Sequence, residues 1–317
     1  LILEALNGAE TYQPGNLSYN NRVQIGNALG SIYGLRYKGV YRYDYDHNGY
    51  TTASISSYGY AEVNNTGYDA QGNPINTAAA AQRRHENFTC PIAYDADGNM
   101  LTDAKGIPLP MYYCYNESYR KQFQGGDAIY EDVNHDGQID RYDMVYLGNS
   151  NPKCNGGFGF TLFYGRFSLN TGFNFRMGNK IINLARANYE SMRSNTNQSY
   201  ATTWRWRKNG DETVIPRALT NVNGYESYNS LPSDRYVENG NYLRLQYVQL
   251  RYEFNPQKLK KYGIRQLTLS ASANNVWCWS KYTGVDPDVS PQGFSVSTDN
   301  SRTPRTKSFT CSANLSF

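Results

Sequence analysis

The 317 residues suffice for one large domain or two ordinary ones; they carry a formal net charge of +4 and only 39% apolar residues, at a mean hydropathy of -0.71. So small a charge does not point to nucleic acid, and no apolar run approaches the roughly 18 residues of a membrane-spanning helix, the longest in the second half being about residues 276–279. Aromatics still reach 15%, with 30 Tyr, which suits alternating strands that meet lipid headgroups, sugars or peptides better than an ordinary Leu/Ile/Val core. Leu1 is not an initiator Met and no signal segment follows it, which points to a mature or truncated chain.

In chain order, residues 7–21 are rich in Asn, Gly, Ser and Tyr and read as loop. Residues 31–42, with Ile32, Tyr33, Leu35, Tyr37, Val40 and Tyr41 around Gly34 and Gly39, predict one strand with glycine kinks. A long polar region then runs over residues 44–126. Within it Tyr68-Asp-Ala-Gln-Gly-Asn-Pro74 and Tyr94-Asp-Ala-Asp-Gly-Asn99 repeat one turn chemistry, predicting two small hairpins, and residues 77–84 predict a short helix. Of the five cysteines, Cys90, Cys114, Cys154, Cys278 and Cys311, no pair has zinc or CxxC spacing. Cys90 and Cys114 flank one loop and are either a disulfide pair or two unrelated thiols.

The only spacing that specifies a chemistry lies in Asp132-Val-Asn134-His-Asp136-Gly137-Gln138-Ile139-Asp140-Arg-Tyr-Asp143. Asp132, Asn134, Asp136, Asp140 and Asp143 place oxygen donors at positions 1, 3, 5, 9 and 12 of a cation loop, Gly137 supplies the sharp turn, and the Gln138 carbonyl serves position 7. Oxygen-only ligands favour calcium, in a structural rather than a catalytic role. Position 12 is Asp instead of the usual Glu, one methylene shorter, which lowers affinity or inserts a water. The competing reading is a solvated Asn/Asp/Gly turn that binds nothing.

Beyond this loop the pattern changes to long hairpins. Phe158, Phe160, Leu162 and Tyr164 share a face, Gly165-Arg166 turns, and Phe167, Leu169, Thr171, Phe173 and Phe175 alternate with Ser168, Asn170, Gly172, Asn174 and Arg176. Such alternation beside a two-residue turn and a long excursion predicts the wall of a transmembrane antiparallel β-barrel. The excursion, residues 178–239, opens with a helix in which Ile181, Leu184, Ala185 and Met192 share a face. It continues to Trp204 and Trp206, which with Tyr225 are the candidate substrate contacts. In residues 242–254 the apolar phase slips, which a bulge near Tyr247 would explain. Residues 266–274 alternate again, Trp277, Trp279 and Tyr282 suit an interfacial belt, and a last strand ends in phase on Leu315 and Phe317. Six strands are expected in all, too few to close in hydrocarbon, so others must come from elsewhere.

The residues from about Gly26 onward resemble the C-terminal part of SusC-like (RagA-like) TonB-dependent transporters. The resembling segments are Val23-Gln-Ile-Gly26 with Gly30-Ser-Ile-Tyr-Gly34 and Gly39-Val-Tyr41, Gly126-Asp127 through Asp140, Tyr146-Leu-Gly-Asn-Ser-Asn-Pro152, and Gly178-Asn-Lys-Ile181. They continue with Ser233-Asp-Arg-Tyr-Val-Glu-Asn-Gly-Asn-Tyr-Leu-Arg-Leu245, Asn274-Asn-Val-Trp277, Tyr282-Thr-Gly-Val-Asp-Pro-Asp-Val-Ser290 and Pro304-Arg-Thr306. The resemblance implies an all-β plugged barrel of roughly 22 strands, to which residues 1–317 give the C-terminal part. Residues 44–126 and 178–239 would be long extracellular loops, residues 127–148 the cation-binding segment, and the plug would lie outside this chain. It further implies import of oligosaccharides or peptides, a SusD-like lipoprotein lid, and energy from the TonB complex through an upstream segment. Location would be the cell outer membrane, in contact with its lipid and spanning it many times. Leu315 and Phe317 resemble the barrel-assembly signal, with Ser312 where Gly is usual.

The alternative is a secreted, calcium-stabilised all-β glycan-binding domain, against which stand the in-phase terminal Phe317 and the paired short and long loops. Catalysis is not expected: none of His47, His85 and His135 lies beside a nucleophile.

Overall fold

The computed structural model describes residues 17, 19, 28–42, 91–99, 101–104, 109–116, 119–208, 210–220, 227–290 and 296–317. The expected hairpin at residues 68–74, the helix at 77–84, Cys90 and Tyr225 lie outside the described residues. The chain divides into two compact units, one of Leu1–Asn27, Ile32–Leu147 and Ala185–Tyr236, the other of Ala28–Ser31, Gly148–Leu184 and Val237–Phe317.

The first unit is built on short strands: β1 (Ser31–Gly34), β2 (Tyr37–Val40), β3 (Tyr112–Asn116), β4 (Tyr119–Gln122), β5 (Ala128–Tyr130), β6 (Gln138–Ile139) and β7 (Val145–Asn149). β1 pairs with β7, β2 runs antiparallel to β5, and β3 lies between antiparallel β4 and parallel β6. Residues 31–42, expected as one barrel strand, are therefore two strands in two small sheets. The cause is burial on both sides. Ile32 and Leu35 are 0% exposed and Tyr33 3%, and a Cβ on Gly34 would come within 2.9 Å of Leu147 and 3.0 Å of the Pro232 carbonyl. A strand enclosed on both faces is core, not a wall between lipid and water.

The core of this unit is rich in Tyr. Tyr41, Tyr113, Tyr130 and Tyr228 pack with Leu35, Met111, Phe123, Ile129, Ile139 and Leu231. Phe123 meets Tyr228 edge to face at 5.3 Å, a geometry that adds about 0.5–1.5 kcal/mol beyond area burial, and lies tilted against Tyr41 at 5.9 Å. The Asp95–Asn99 segment makes the expected turn: Asp95 Oδ1 accepts from the Asp97 and Asn99 N–H groups, and Gly98 takes a φ of 80°.

The second unit is dominated by β8 (Cys154–Tyr164), β9 (Phe167–Met177), β12 (Tyr242–Glu253), β13 (Gln266–Ser280) and β15 (Ser308–Ser316), all antiparallel in the order β15-β13-β12-β9-β8. A smaller sheet sets β10 (Lys180–Asn183) between β11 (Val237–Asn239) and β14 (Thr298–Asp299). The helix expected over residues 181–192 is shorter. Ile181 and Ile182, β-branched and buried at 0% and 1%, pair with Glu238 and Val237, and only α1 (Leu184–Glu190) is helical.

Register fixes the faces of the large sheet. Leu162, Leu169, Leu250 and Ala271 lie opposite one another in turn, as do Tyr164, Phe167, Tyr252 and Leu269. The facing row beneath carries Ser168, Arg251 and Ser270. The apolar side is uncovered: Phe160 is 46% exposed, Leu162 56%, Leu250 47% and Phe309 75%. The Phe167 and Tyr252 rings meet at a tilt, 4.6 Å apart, toward the Gly165-Arg166 turn, while Trp277 and Trp279, 6.0 Å apart, mark the other end. Eleven residues of β9, at about 3.3 Å each and a usual barrel tilt near 40°, rise roughly 25 Å, the height of an outer-membrane apolar band.

The phase slip is where the sequence predicts it. Between Leu245 and Tyr247 the register shifts against both β9 and β13, so Leu245 and Val248 stay on the apolar side and Tyr247 turns to the polar one. There its ring covers Gly172, where a Cβ would come within 2.3 Å of it. β12 and β13 are joined by α2 (Pro256–Leu259), capped by Asn255, and a 3-10 turn ending on Gly263 at a φ of 75°.

Candidate functional site

The loop of residues 132–143, in the first unit, leaves β5, passes through β6 and closes on the 3-10 turn Arg141–Asp143. Its acidic side chains organise its backbone. Asp132 Oδ2 accepts from Gly137 N at 2.8 Å, Asp136 Oδ1 from Gln138 N at 2.8 Å, and Asp140 Oδ1 from Tyr142 N at 2.7 Å. Asp143, 0% exposed, spans the loop, its Oδ1 accepting from Val133 N and its Oδ2 from Asp140 N, both at 2.8 Å. Asn134 Nδ2 donates to Asp136 Oδ2 at 3.1 Å. Gly137 takes a φ of 79° and leaves 2.9 Å between a would-be Cβ and Ala93, so the turn admits no side chain. Ile139, 0% exposed, anchors the loop in the core.

These carboxylates are electrostatically strained. Burial, then the charges of Asp132 and Asp140, push Asp143 up to about 7. Asp132 and Asp140 are raised by burial and then by Asp136. Excess negative charge among oxygen-only donors is what a hard divalent cation neutralises. Among the described residues, no group of three or more His, Cys, Asp or Glu side chains has metal-site geometry; here the carboxylates bind the loop's own N–H groups.

The candidate substrate aromatics separate. Trp204 is 68% exposed at the end of the 3-10 turn Tyr200–Trp204. Trp206 is engaged within the unit: its Nε1 donates to the Arg42 carbonyl at 3.1 Å, and its ring lies where a Cβ on Gly126 would sit, within 2.2 Å.

A buried ion pair has no counterpart in the local sequence pattern. Asp127, 0% exposed, accepts from Arg217 Nε at 2.7 Å, Asn229 Nδ2 at 3.0 Å and Gln124 N at 2.8 Å. Arg217 also donates to Gln124 Oε1 at 2.8 Å. Burial pushes the Asp127 carboxyl up while the Arg217 hydrogen bond and charge pull it down; Arg217 itself, though burial lowers it, is held above its ordinary range by Asp127. Gly126-Asp127 was visible as a motif, but nothing local named its partner.

In the second unit, Leu315 lies opposite Leu267 on the last strand and is 48% exposed, and Phe317 is 71% exposed. β15 and β8 are the sheet's two outer strands among the described residues, so the sheet is open and does not close into a barrel. At its Trp-bearing end Asp286 pairs with Arg244, and Asp288 with Arg176 and Arg305.

No family model matches the chain. It is 29% identical over 309 residues, 93% of its length, to the TonB-dependent receptor P39 of Formosa agariphila, and 31% identical over 168 residues, 53% of its length, to TonB-dependent receptor P26 of the same organism. It spans only 26% and 17% of those two relatives. Two solved structures share the fold. One of the RagAB peptide transporter has a TM-score of 0.51 at 19% identity, over 61% of this chain and 21% of that one. One of the RagAB peptide importer in a closed-closed state has a TM-score of 0.50 at 16% identity, over 94% and 25%. These relatives are receptors and transporters, not enzymes.

Proposed function

We propose that this chain is part of the β-barrel wall of a SusC/RagA-like TonB-dependent receptor, and that the protein containing it imports large nutrients across the outer membrane at the expense of TonB-coupled energy. The observation that carries the reading is the five-stranded antiparallel sheet with one uncovered apolar face, one polar face and aromatics at both ends, about one hydrocarbon thickness tall. Cargo is an oligosaccharide or a peptide too large for a porin, and a SusD-like surface lipoprotein is the partner; the RagAB peptide importer among the fold neighbours supports a peptide. For the loop of residues 132–143 the ion we propose is calcium, which would be held by Asp132, Asn134, Asp136, Asp140, Asp143 and the Gln138 carbonyl once those carboxylates turn from the loop's own N–H groups, and would clamp the segment leading into β7. Its role is structural.

The test is fractionation of the full-length product with and without boiling in detergent. Outer-membrane recovery with heat-modifiable migration, and uptake lost on deleting TonB, support the proposal. A soluble product indifferent to boiling overturns it and leaves the calcium-stabilised binding domain.

A further inference from the structure

A two-residue turn joins β8 to β9, yet at the same end of the sheet residues 254–265 separate β12 from β13, far more than an antiparallel connection needs. They form a built turn: Asn255 Oδ1 accepts from Gln257 N to cap α2, and Gly263 ends the 3-10 turn of Lys260–Tyr262 at a φ of 75°. What this turn carries is charge. Lys258, Lys260 and Lys261 are exposed on it, and exposed arginines flank it on both sides. The Arg166 carbonyl accepts from Glu253 N at 2.9 Å, and Arg265 N donates to the Ser316 carbonyl at 2.8 Å. β9, β12, β13 and β15 are consecutive in the sheet, so at about 4.8 Å per strand the five cations span roughly 14 Å.

No carboxylate balances them. Glu253 is the one acid among residues 251–267 and accepts from Gln266 Nε2 at 3.1 Å; among the described residues, none of the five cations forms an ion pair. The Trp-bearing end is the opposite case, with Arg244 on Asp286 and both Arg176 and Arg305 on Asp288. The cations also begin where the apolar face stops. Phe254 N donates to the Leu267 carbonyl at 3.0 Å and Leu267 lies opposite Leu315, which makes these three side chains its last row. Past that row stands Tyr262, 67% exposed, with Lys261 Nζ 4.8 Å from its ring centroid.

We propose that this end of the wall binds the headgroup of an anionic phospholipid, its phosphate on Lys258, Lys260 and Lys261 between the two arginines and its acyl chains along the Phe254, Leu267 and Leu315 row. A phospholipid carries both chemistries in the order the surface presents them, hydrocarbon first and then negative charge. Lysine stems lie along apolar surface while their ammonium groups reach the phosphate, and each such charge strengthens the attraction about fivefold. A zwitterionic headgroup offsets its own phosphate with an amine, so the net-anionic lipid is preferred. Short turns face the periplasm in outer-membrane barrels, which assigns the site to the periplasmic leaflet. The inference rests on the barrel reading, which makes the apolar face lipid-facing, and adds to it a lipid class that the wall selects.

The experiment uses the full-length protein in a neutral detergent, labelled through a His tag and followed by thermophoresis. It is titrated with dioctanoyl phosphatidylglycerol, dioctanoyl phosphatidylcholine, glycerol 3-phosphate and hexaglutamate. Phosphatidylglycerol should bind about tenfold or more tightly than phosphatidylcholine, and 1 M salt should abolish the difference. Lys258→Gln, Lys260→Gln and Lys261→Gln together should bring the two lipids within about twofold of each other, whereas Lys258→Arg, Lys260→Arg and Lys261→Arg together should retain the preference. The same loss of charge at the other end, Lys153→Gln with Lys281→Gln and Lys307→Gln, all exposed, should leave it unchanged. Equal binding of the two lipids by wild type, or equal loss of preference in both Gln variants, overturns the assignment. Tighter binding of glycerol 3-phosphate or of hexaglutamate than of phosphatidylglycerol also overturns it, giving the patch to a free phosphate or to an acidic protein segment. Any of these with outer-membrane recovery and heat-modifiable migration intact removes the lipid site and keeps the barrel; a soluble product removes both.

Discussion

Asp127 and Arg217 are 90 positions apart in sequence, yet the guanidinium donates to the carboxylate at 2.7 Å where Asp127 has no exposed surface. The pair joins the strand β5 to the segment before Tyr228, and Asn229 completes it from a third place in the chain. Breaking one member leaves a buried charge without its partner. Arg217→Ala should cost about 3–5 kcal/mol, and Arg217→Lys should recover little, because one ammonium cannot serve Asp127 and Gln124 together. Limited proteolysis within residues 91–147 reads the loss; a wild-type cleavage pattern in both variants would refute it.

Glu131 offers a pH signature of its two pairs with Arg36 and Lys38. Burial raises its carboxyl, but the Lys38 and Arg36 hydrogen bonds and charges outweigh this and hold it below the usual Glu range. A lowered folded value means the pairs add stability above the unfolded value near about 4.3 and lose it as pH falls through the folded one. With both cations partly exposed, the contribution is at most about 1 kcal/mol per pair. Melting curves of wild type and Glu131→Gln should differ by a few degrees at neutral pH and converge once the pH falls below the lowered folded value; a constant offset would assign the effect to packing.

The two faces of β9 should respond oppositely to charge. Leu169→Arg puts a cation on the apolar face and should cost about 2–4 kcal/mol at mid-bilayer depth, whereas Ser168→Arg, one residue earlier on the polar face, should be nearly neutral. Heat-modifiable migration of the two variants distinguishes them, and equal behaviour would contradict the assignment of faces.

At the bulge, Gly172→Val should destabilise the wall by about 1–3 kcal/mol through contact with the Tyr247 ring, and Tyr247→Ala should restore most of the loss. Failure of the double variant to recover would place the cost in strand backbone instead, where Gly159 stands opposite.

For the cation loop, Asp132→Ala with Asp136→Ala should weaken calcium binding by at least about a hundredfold, because affinity follows the number of charged ligands. The segment before Asn149 should then become protease-sensitive while the barrel wall still resists unfolding in detergent. Isothermal titration and proteolysis in calcium against chelator read this out; equal sensitivity of wild type and variant in both would count against an occupied site.

How much of this was legible depended on the range of the signal. Residues 167–177 declare a two-sided wall because their period of two is complete within one strand, and the Leu245/Tyr247 slip is legible because one inserted residue inverts parity for the rest of β12. Residues 31–42 show the limit. Ile32, Tyr33 and Leu35 have the composition of a wall strand, and only partners far along the chain, Leu147 and Pro232, reveal that both sides are enclosed. Ile181 fitted a helical face as well as a strand, and its pairing with Glu238 decided it. The loop of residues 132–143 carries its whole pattern in twelve positions, whereas Asp127 gives no local hint of Arg217.

β9 and β12 are neighbours in the wall, yet residues 178–241 lie between them, whereas β8 and β9 are separated by two residues. Closing so long a segment costs more chain entropy than a tight hairpin, and the cost is met before any β9–β12 hydrogen bond repays it. Within that span Tyr228 and Leu231 are committed to the Tyr-rich core of the first unit, with Leu35, Phe123 and Ile129. The topology therefore predicts an order of assembly: the β8–β9 hairpin first, and the seam between β9 and β12 only after residues 178–241 have taken up their fold. Variants that loosen the Tyr-rich core would accordingly appear first as slow insertion of the wall, before any loss of its final stability.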